Sequence, residues 1–292
     1  MASKLKKTGE KVAVIPLEDN FTDIVGKAQR GLNLSGTALA ERAGVSLAEV
    51  NAVRRGEVDE AVLRKVAGAL GLGAEALVAS ARGAWRPREV GEVRGLGRFN
   101  TPFDDMTVNA YVVYDAETRE AAAFDTGADC DGMLEFAREK GLRVEMILLT
   151  HVHTDHVFDL GRLKAATGAR AYVSGREVLA GAEAFEDGKI FEVGKLKIEA
   201  RRTSGHARGG TSFVVTGLAR RVALVGDALF AGSMGGGMVD YGEVLRTNRE
   251  GIFTLPDETI LCPGHGPLST VGEEKLHNPF FPEFQQQQAS QQ

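Results

Sequence analysis

Cysteine is nearly absent: Cys130 and Cys262 are the only two in 292 residues, and no C-x-x-C occurs. A disulfide framework is thereby excluded. No apolar run approaches the roughly 20 residues needed to span a bilayer. The lysines Lys4, Lys6, Lys7 and Lys11 are followed by no apolar stretch of signal-peptide length, so cytoplasmic residence is expected. Neither charge sign dominates. Residues 1–88 carry net +4 and residues 89–292 net −9, an asymmetry too modest to announce a nucleic-acid-binding arm by itself. There is one tryptophan, Trp85, and no internal repeat is evident.

With 43% hydrophobic and 26% charged residues over 31.2 kDa, the chain can build one large core and a smaller one. Residues 1–19 read as a flexible basic arm. Residues 20–82 are Ala-rich with apolar residues three and four apart, a helical pattern. Within them Gly44 suits the left-handed position that ends a helix, and Ser46 the cap that starts the next. Two short helices about a glycine turn make a helix-turn-helix unit, and this stretch resembles the repressor-type domain of that name. Its second helix opens Leu47-Ala48-Glu49; Asn51 is the one base-reading candidate, with Arg54 and Arg55 available for phosphates. From Phe21 to Arg82 there are 8 basic and 7 acidic residues, a weak phosphate-binding footprint. The balance favours a dimerisation or docking module over a DNA reader. Residues 83–89, with Trp85 and Pro87, read as a linker, and residues 90–284 as a second domain of intermixed strands and helices, an α/β fold. The Gln-rich segment 285–292 is expected to be disordered.

All six histidines lie in that second domain, and five of them stand in short runs beyond apolar strands. His151-Val152-His153-Thr154-Asp155-His156 follows the apolar strand Val144–Leu149. His206 stands in Ser204-Gly205-His206, Asp227 directly after the apolar Val222–Gly226, and His265 in Pro263-Gly264-His265-Gly266. Imidazole and carboxylate are the ligands of zinc, iron and manganese, and a run this dense at a strand end is costly without an ion. His206, Asp227 and His265 are each unremarkable alone, as a solvated loop histidine, a helix cap and a turn residue. They gain meaning because a two-metal site draws ligands from several strand ends. Asp125, in Asp125-Thr126-Gly127 after a strand, is a candidate to orient a ligating histidine or a simple turn residue. Arg208 and Tyr241 are candidates for substrate contact, and Cys262, three residues before His265, reads as a buried apolar filler.

The order His151-x-His153-x-Asp155-His156, His206, Asp227, His265 resembles the metallo-β-lactamase superfamily over about residues 90–282. Within it the likeness is to the glyoxalase II group of thioester hydrolases, carried by Gly226–Ser233, Leu261–Pro267 and Glu273–Phe280. The resemblance implies an αββα sandwich and two divalent metal ions, zinc first among them and iron or manganese as alternatives. It implies His151, His153 and His206 on one ion, Asp155, His156 and His265 on the other, and Asp227 bridging. The chain departs from the group at Ala207-Arg208-Gly209 and at Met234-Gly235-Gly236-Gly237-Met238, and lacks the C-terminal helical domain that binds glutathione.

The chemistry expected is attack on a carbonyl by hydroxide generated at about neutral pH, with Asp155 taking the water's proton. A thiol leaves with little help because its pKa is near 8.5, so a thioester, and next a lactone or other ester, is the expected substrate. An amide nitrogen would need a proton donor, and the sequence identifies none. The rival enzyme is an iron oxygenase like the persulfide dioxygenases of the same superfamily, using His151, His206 and Asp227. The rival class is a regulator that reads DNA and senses a metabolite.

Overall fold

A computed structural model describes residues 15–289. The chain opens with five helices, α1 (Phe21–Gly31), α2 (Gly36–Ala43), α3 (Leu47–Arg54), α4 (Glu60–Leu70) and α5 (Ala74–Ala81). Their ends follow from local chemistry. Asn20 and Asp23 form a capping box on α1, as Ser46 and Glu49 do on α3. Gly44 ends α2 at φ 63, and Gly71 ends α4 at φ 71, both left-handed.

The first sheet contains β1 (Leu96–Phe103), β2 (Met106–Tyr114), β3 (Glu120–Phe124), β4 (Arg143–Leu148), β5 (Arg170–Ser174) and β6 (Ala182–Phe185), side by side in that order. Helices α6 (Asp131–Lys140), α7 (Thr154–Val157) and α8 (Leu160–Thr167) interleave with these strands. The first three strands are antiparallel and the last four parallel. The second sheet has β7 (Ile190–Val193), β8 (Leu196–Arg202), β9 (Thr211–Thr216), β10 (Val222–Gly226), β11 (Ile260–Pro263) and β12 (Ser269–Thr270) in sequential order, with β10 and β11 parallel. Helix α9 (Tyr241–Gly251) lies between β10 and β11, and α10 (Val271–His277) and α11 (Pro282–Ala289) follow β12.

Alternation along the strands explains the layering. Tyr111, Val113, Phe124 and Leu148 of the first sheet meet Ile198, Phe213, Leu224 and Cys262 of the second in a common core. The intervening residues Ala110, Val112 and Ala123 face outward onto Met133 of α6 and Leu163 of α8. Ala223, Val225 and Leu261 face the opposite way, onto Val244 of α9 and Phe280 and Phe281. The result is an α/β/β/α sandwich. Sheets covered on both faces need strands that are apolar throughout, and Val222–Gly226 is buried at every position.

At four segments the structure adds to or departs from the sequence reading. The edge strand β1 is not legible, because Gly97, Asn100 and Pro102 break its pattern; proline is tolerated there because an edge strand leaves N–H groups unpaired. The arm 1–19 lies partly outside the described residues, but residues 15–19 are docked, with Asp19 accepting from Ser233 Oγ at 2.5 Å and Ile15 O accepting from Arg86 at 2.8 Å. The segment 83–89 is no free tether, since Trp85 stacks on His277 at 4.8 Å and Arg88 N donates to Glu273 at 2.8 Å. The Gln-rich tail continues α11 to Ala289, with Gln285 Nε2 donating to Asn278 O at 2.9 Å. The core of α1–α5 is continuous with that of α9, Phe280 and Phe281. Among the described residues, no helix is long and apolar enough to cross a membrane.

Candidate metal centre

The ends of four strands converge at one edge of the sandwich. Beyond β4 the chain turns through Thr150 into His151, and Thr150 O accepts from Thr211 N at 2.9 Å. One turn of helix, α7, capped by His153, then presents Asp155 and His156. His206 lies between β8 and β9. Asp227 follows β10 after Gly226 at φ 50, and His265 follows β11. Crowding is severe: a Cβ on Gly264 would stand 2.2 Å from Asp227 Oδ1 and 2.5 Å from His156 Cε1. Only glycine lets the His265 loop approach this closely.

All seven expected residues come together in two groups. His151, His153, His206 and Asp227 offer donor atoms within 4.8 Å of one another, as do Asp155, His156 and His265. Asp227 reaches both, with Oδ1 3.2 Å from His156 Nε2, and Oδ2 3.5 Å from His206 Nε2 and 3.4 Å from His265 Nε2.

The far nitrogen of four imidazoles is tied down. His156 Nδ1 meets Asp125 Oδ2 at 2.8 Å, His265 Nδ1 meets Thr107 O at 2.8 Å, and His206 Nδ1 meets Gly236 O at 3.0 Å. Thr150 Oγ1 donates to Asp125 at 2.8 Å, so it accepts from His151 Nδ1 at 3.0 Å. Each acceptor fixes its ring with N–H outward and the Nε2 lone pair inward. His153 is turned the other way, its Nδ1 lying 3.1 Å from both His151 Nε2 and His206 Nε2. One proton on His153 can satisfy one such contact, not two; lone pairs aimed at a common point suit a cation. Buried His156 Nε2 and Asp227 Oδ1, though close to each other, make no hydrogen bond of proper geometry among the described residues, as expected of ligand atoms. The donor set therefore fits metal.

Charge is finely opposed here. Burial drives the His151 imidazole well below its ordinary pKa and lowers His206 as well. Burial also disfavours the charged form of His156, but Asp227 and Asp125 outweigh it and push the group up to about 10. His265 is carried to about 11 against burial by Asp227 and Asp155. Burial alone would raise Asp227, and His156 and His265 hold it well below the carboxylate range.

Of the lesser candidates, Asp125 faces the ligands directly. Tyr241 packs against Phe280 and against Gly31, where a Cβ would fall 2.2 Å from its ring. Arg208 is exposed, and Cys262 is buried between the sheets with its thiol pushed up by burial. Sequence reasoning missed Thr150, the carbonyls of Thr107 and Gly236, and the N-terminal residues Glu18 and Lys27. Glu18 packs on Gly266 beside His265, and burial raises its carboxyl despite His265.

The family model described as Metallo-beta-lactamase superfamily matches residues 103–265, more than half of the chain. The chain belongs to the metallo-β-lactamase superfamily. Helices α1–α5 lie outside the matched stretch. Among relatives within the superfamily, the chain is 28% identical over 205 residues to hydroxyacylglutathione hydrolase GloC of Haemophilus influenzae, covering 62% of this chain and 95% of that one. It is 33% identical over 182 residues to the mitochondrial persulfide dioxygenase ETHE1 of Homo sapiens, covering 58% and 69%. The solved structure of TTHA1623 in a di-iron-bound form superimposes with a TM-score of 0.54 at 26% identity, covering 62% and 99%.

Proposed function

We propose that this superfamily member is a metal-dependent thioester hydrolase of the glyoxalase II-like kind, acting through two divalent ions. The observation that carries this reading is the second donor group, Asp155, His156 and His265, assembled beside the first and joined to it through Asp227. Three further donors beside the first four give a second ion a place to sit. The likeness to GloC supports the reaction class.

His151, His153 and His206 would hold one ion, Asp155, His156 and His265 the other, with Asp227 between. Such ions lower the pKa of a coordinated water from 15.7 to about 7, supplying hydroxide at neutral pH. Asp155 is the more open of the two donor carboxylates, and its Oδ2, 3.2 Å from His265 Nε2, is the proton acceptor. Buried His151 and Asp227 keep solvent from the inner side of the centre. A departing thiolate requires no side-chain acid.

The likeness to ETHE1 supports a second reading, a mononuclear iron oxygenase using His151, His206 and Asp227. Metal analysis and turnover separate the two. Two ions per chain and hydrolysis of an acyl-thioester panel are expected. One iron per chain, O₂ consumption with a persulfide and inert thioesters would overturn the hydrolase. The α2–turn–α3 unit exposes Leu47, Ala48 and Glu49 at the start of α3, a poor surface for bases; we read α1–α5 as a docking module, and retardation of DNA in a low-salt gel shift would reject that reading.

A further inference from the structure

The Gly-rich turn that anchors His206 has almost no side chains with which to hold itself. Gly232-Ser233-Met234-Gly235-Gly236-Gly237 runs directly past the centre, and a Cβ on Gly235 would sit 2.8 Å from His206 Nδ1. Its backbone is gripped from outside. Gly235 N donates to Asp227 O at 3.0 Å, and Asn278 Nδ2 donates to Ser233 O at 2.7 Å. The remaining grip comes from the N-terminal segment, which like Asn278 lies outside the stretch matched to the superfamily. Lys27 of α1 donates from Nζ to Met234 O at 2.9 Å, its stem standing 4.0 Å from where a Gly236 Cβ would be. The ammonium is half of a well-shielded ion pair with Asp19, whose Oδ2 also accepts from Ser233 Oγ. Lys27 also lies over the Phe230 ring, 5.0 Å from its centroid, and Phe230 meets His265 edge to face at 5.7 Å.

We propose that Lys27, held by Asp19, is a positioning residue of the metal centre: it fixes the Met234–Gly236 peptide so that Gly236 O keeps His206 Nε2 turned inward. The N-terminal helices are then a working wall of the site as well as a docking module. Lys27 touches no donor itself; it acts through a carbonyl two residues away. The ammonium suits the task because it can serve Asp19 and the Met234 carbonyl together, at a place where an apolar stem fits.

The inference rests on the metal reading above, and the test keeps the two apart. Zinc affinity is measured by competition with a chromophoric chelator for the full chain and for Lys27→Met, Lys27→Arg and Asp19→Asn. Exchange of the His206 and His156 ring N–H protons is followed by NMR in the zinc-loaded proteins. If the unaltered chain takes up no zinc, the metal reading fails first. If it does, Lys27→Met should bind up to about 10-fold more weakly, the low end of the loss seen when a ligand's direct partner is removed. Lys27→Arg should recover most of that loss, and Asp19→Asn should lose less than Lys27→Met. His206 N–H exchange should quicken while His156, anchored by Asp125, stays protected. Unchanged affinity in both Lys27→Met and Asp19→Asn, or equal quickening at both rings, overturns the proposal. Should Lys27→Met not fold, Asp19→Asn alone decides by the same two readings.

Discussion

Asp125 Oδ2 lies 2.8 Å from His156 Nδ1 and equally far from Thr150 Oγ1, which in turn holds His151. One buried carboxylate thus orients a ring in each donor group. It is held at φ 53, a left-handed conformation that aspartate tolerates better than most residues. Asp125→Asn puts an amide of divided character before two donors. Zinc affinity should fall about 10–100-fold by chelator competition, with secondary structure retained; undiminished affinity would reject the role.

Gly264→Ala inserts a methyl group where Asp227 Oδ1 and His156 Cε1 already stand at 2.2 and 2.5 Å. Flexible side chains elsewhere could yield, but these two are pinned by the centre. Overpacking of this kind costs about 1–3 kcal/mol or more. The expected result is loss of at least one bound ion by elemental analysis and a lowered melting temperature. Full metal content would contradict the geometry.

Metal binding should strengthen as pH rises. A cation must displace the protons that His156 and His265 hold up to about 10 and about 11, so protons and metal compete for the same lone pairs. Apparent affinity measured from pH 6 to 9 should climb steadily. Stripping the ions should also destabilise the fold, since an ion at 100 times its Kd contributes about 2.7 kcal/mol. A flat profile, or a chelated protein that melts with the untreated one, would argue against metal.

Glu274 offers a pH effect away from the centre. Burial raises its carboxyl to about 7, although Ser269, Asn278 and Gly232 N lower it. The unfolded chain titrates near 4.5 and the folded chain higher, so the folded state binds more protons in between. This group's stabilising contribution is therefore complete below about pH 4.5, is lost as pH rises through about 7, and is flat beyond. Glu274→Gln keeps an acceptor for Gly232 N and Asn278 and should abolish that slope, gaining on the order of 3 kcal/mol at pH 8. Urea unfolding at pH 5 and pH 8 tests it: parallel slopes in both proteins refute it.

The shared core of α1–α5 with α9, Phe280 and Phe281 predicts one unfolding transition. Fluorescence of Trp85, the only tryptophan, reports the joint between the two parts, and far-UV circular dichroism reports the helices. The two curves should coincide in urea. Separated midpoints would mean that the parts unfold independently.

The donor residues were legible because they break a rule: seven imidazoles and carboxylates stand beside apolar strands, where uncompensated polarity is expensive. Asp125 was legible as a candidate for the same reason. The anchors of His206 and His265 were not, because a peptide carbonyl belongs to every residue and leaves no mark in sequence. Lys27 was hidden by distance, its carbonyl partner being 207 residues further along. The docking of 15–19 and 83–88 was obscured in a related way. Composition reports that such segments lack a pattern of their own, whereas what they lie against is decided by side chains elsewhere, as Gly232 is by Trp85, whose ring comes within 2.7 Å of a Cβ placed there.

No substitution can delete a main-chain oxygen. With Thr107 O and Gly236 O steadying two rings, the side chains along 103–107 and 234–238 are released from that duty. Exposed Met106 and Met238 can therefore be exchanged while the imidazoles keep their aim. Anchorage and surface character reside in different atoms of the same two stretches.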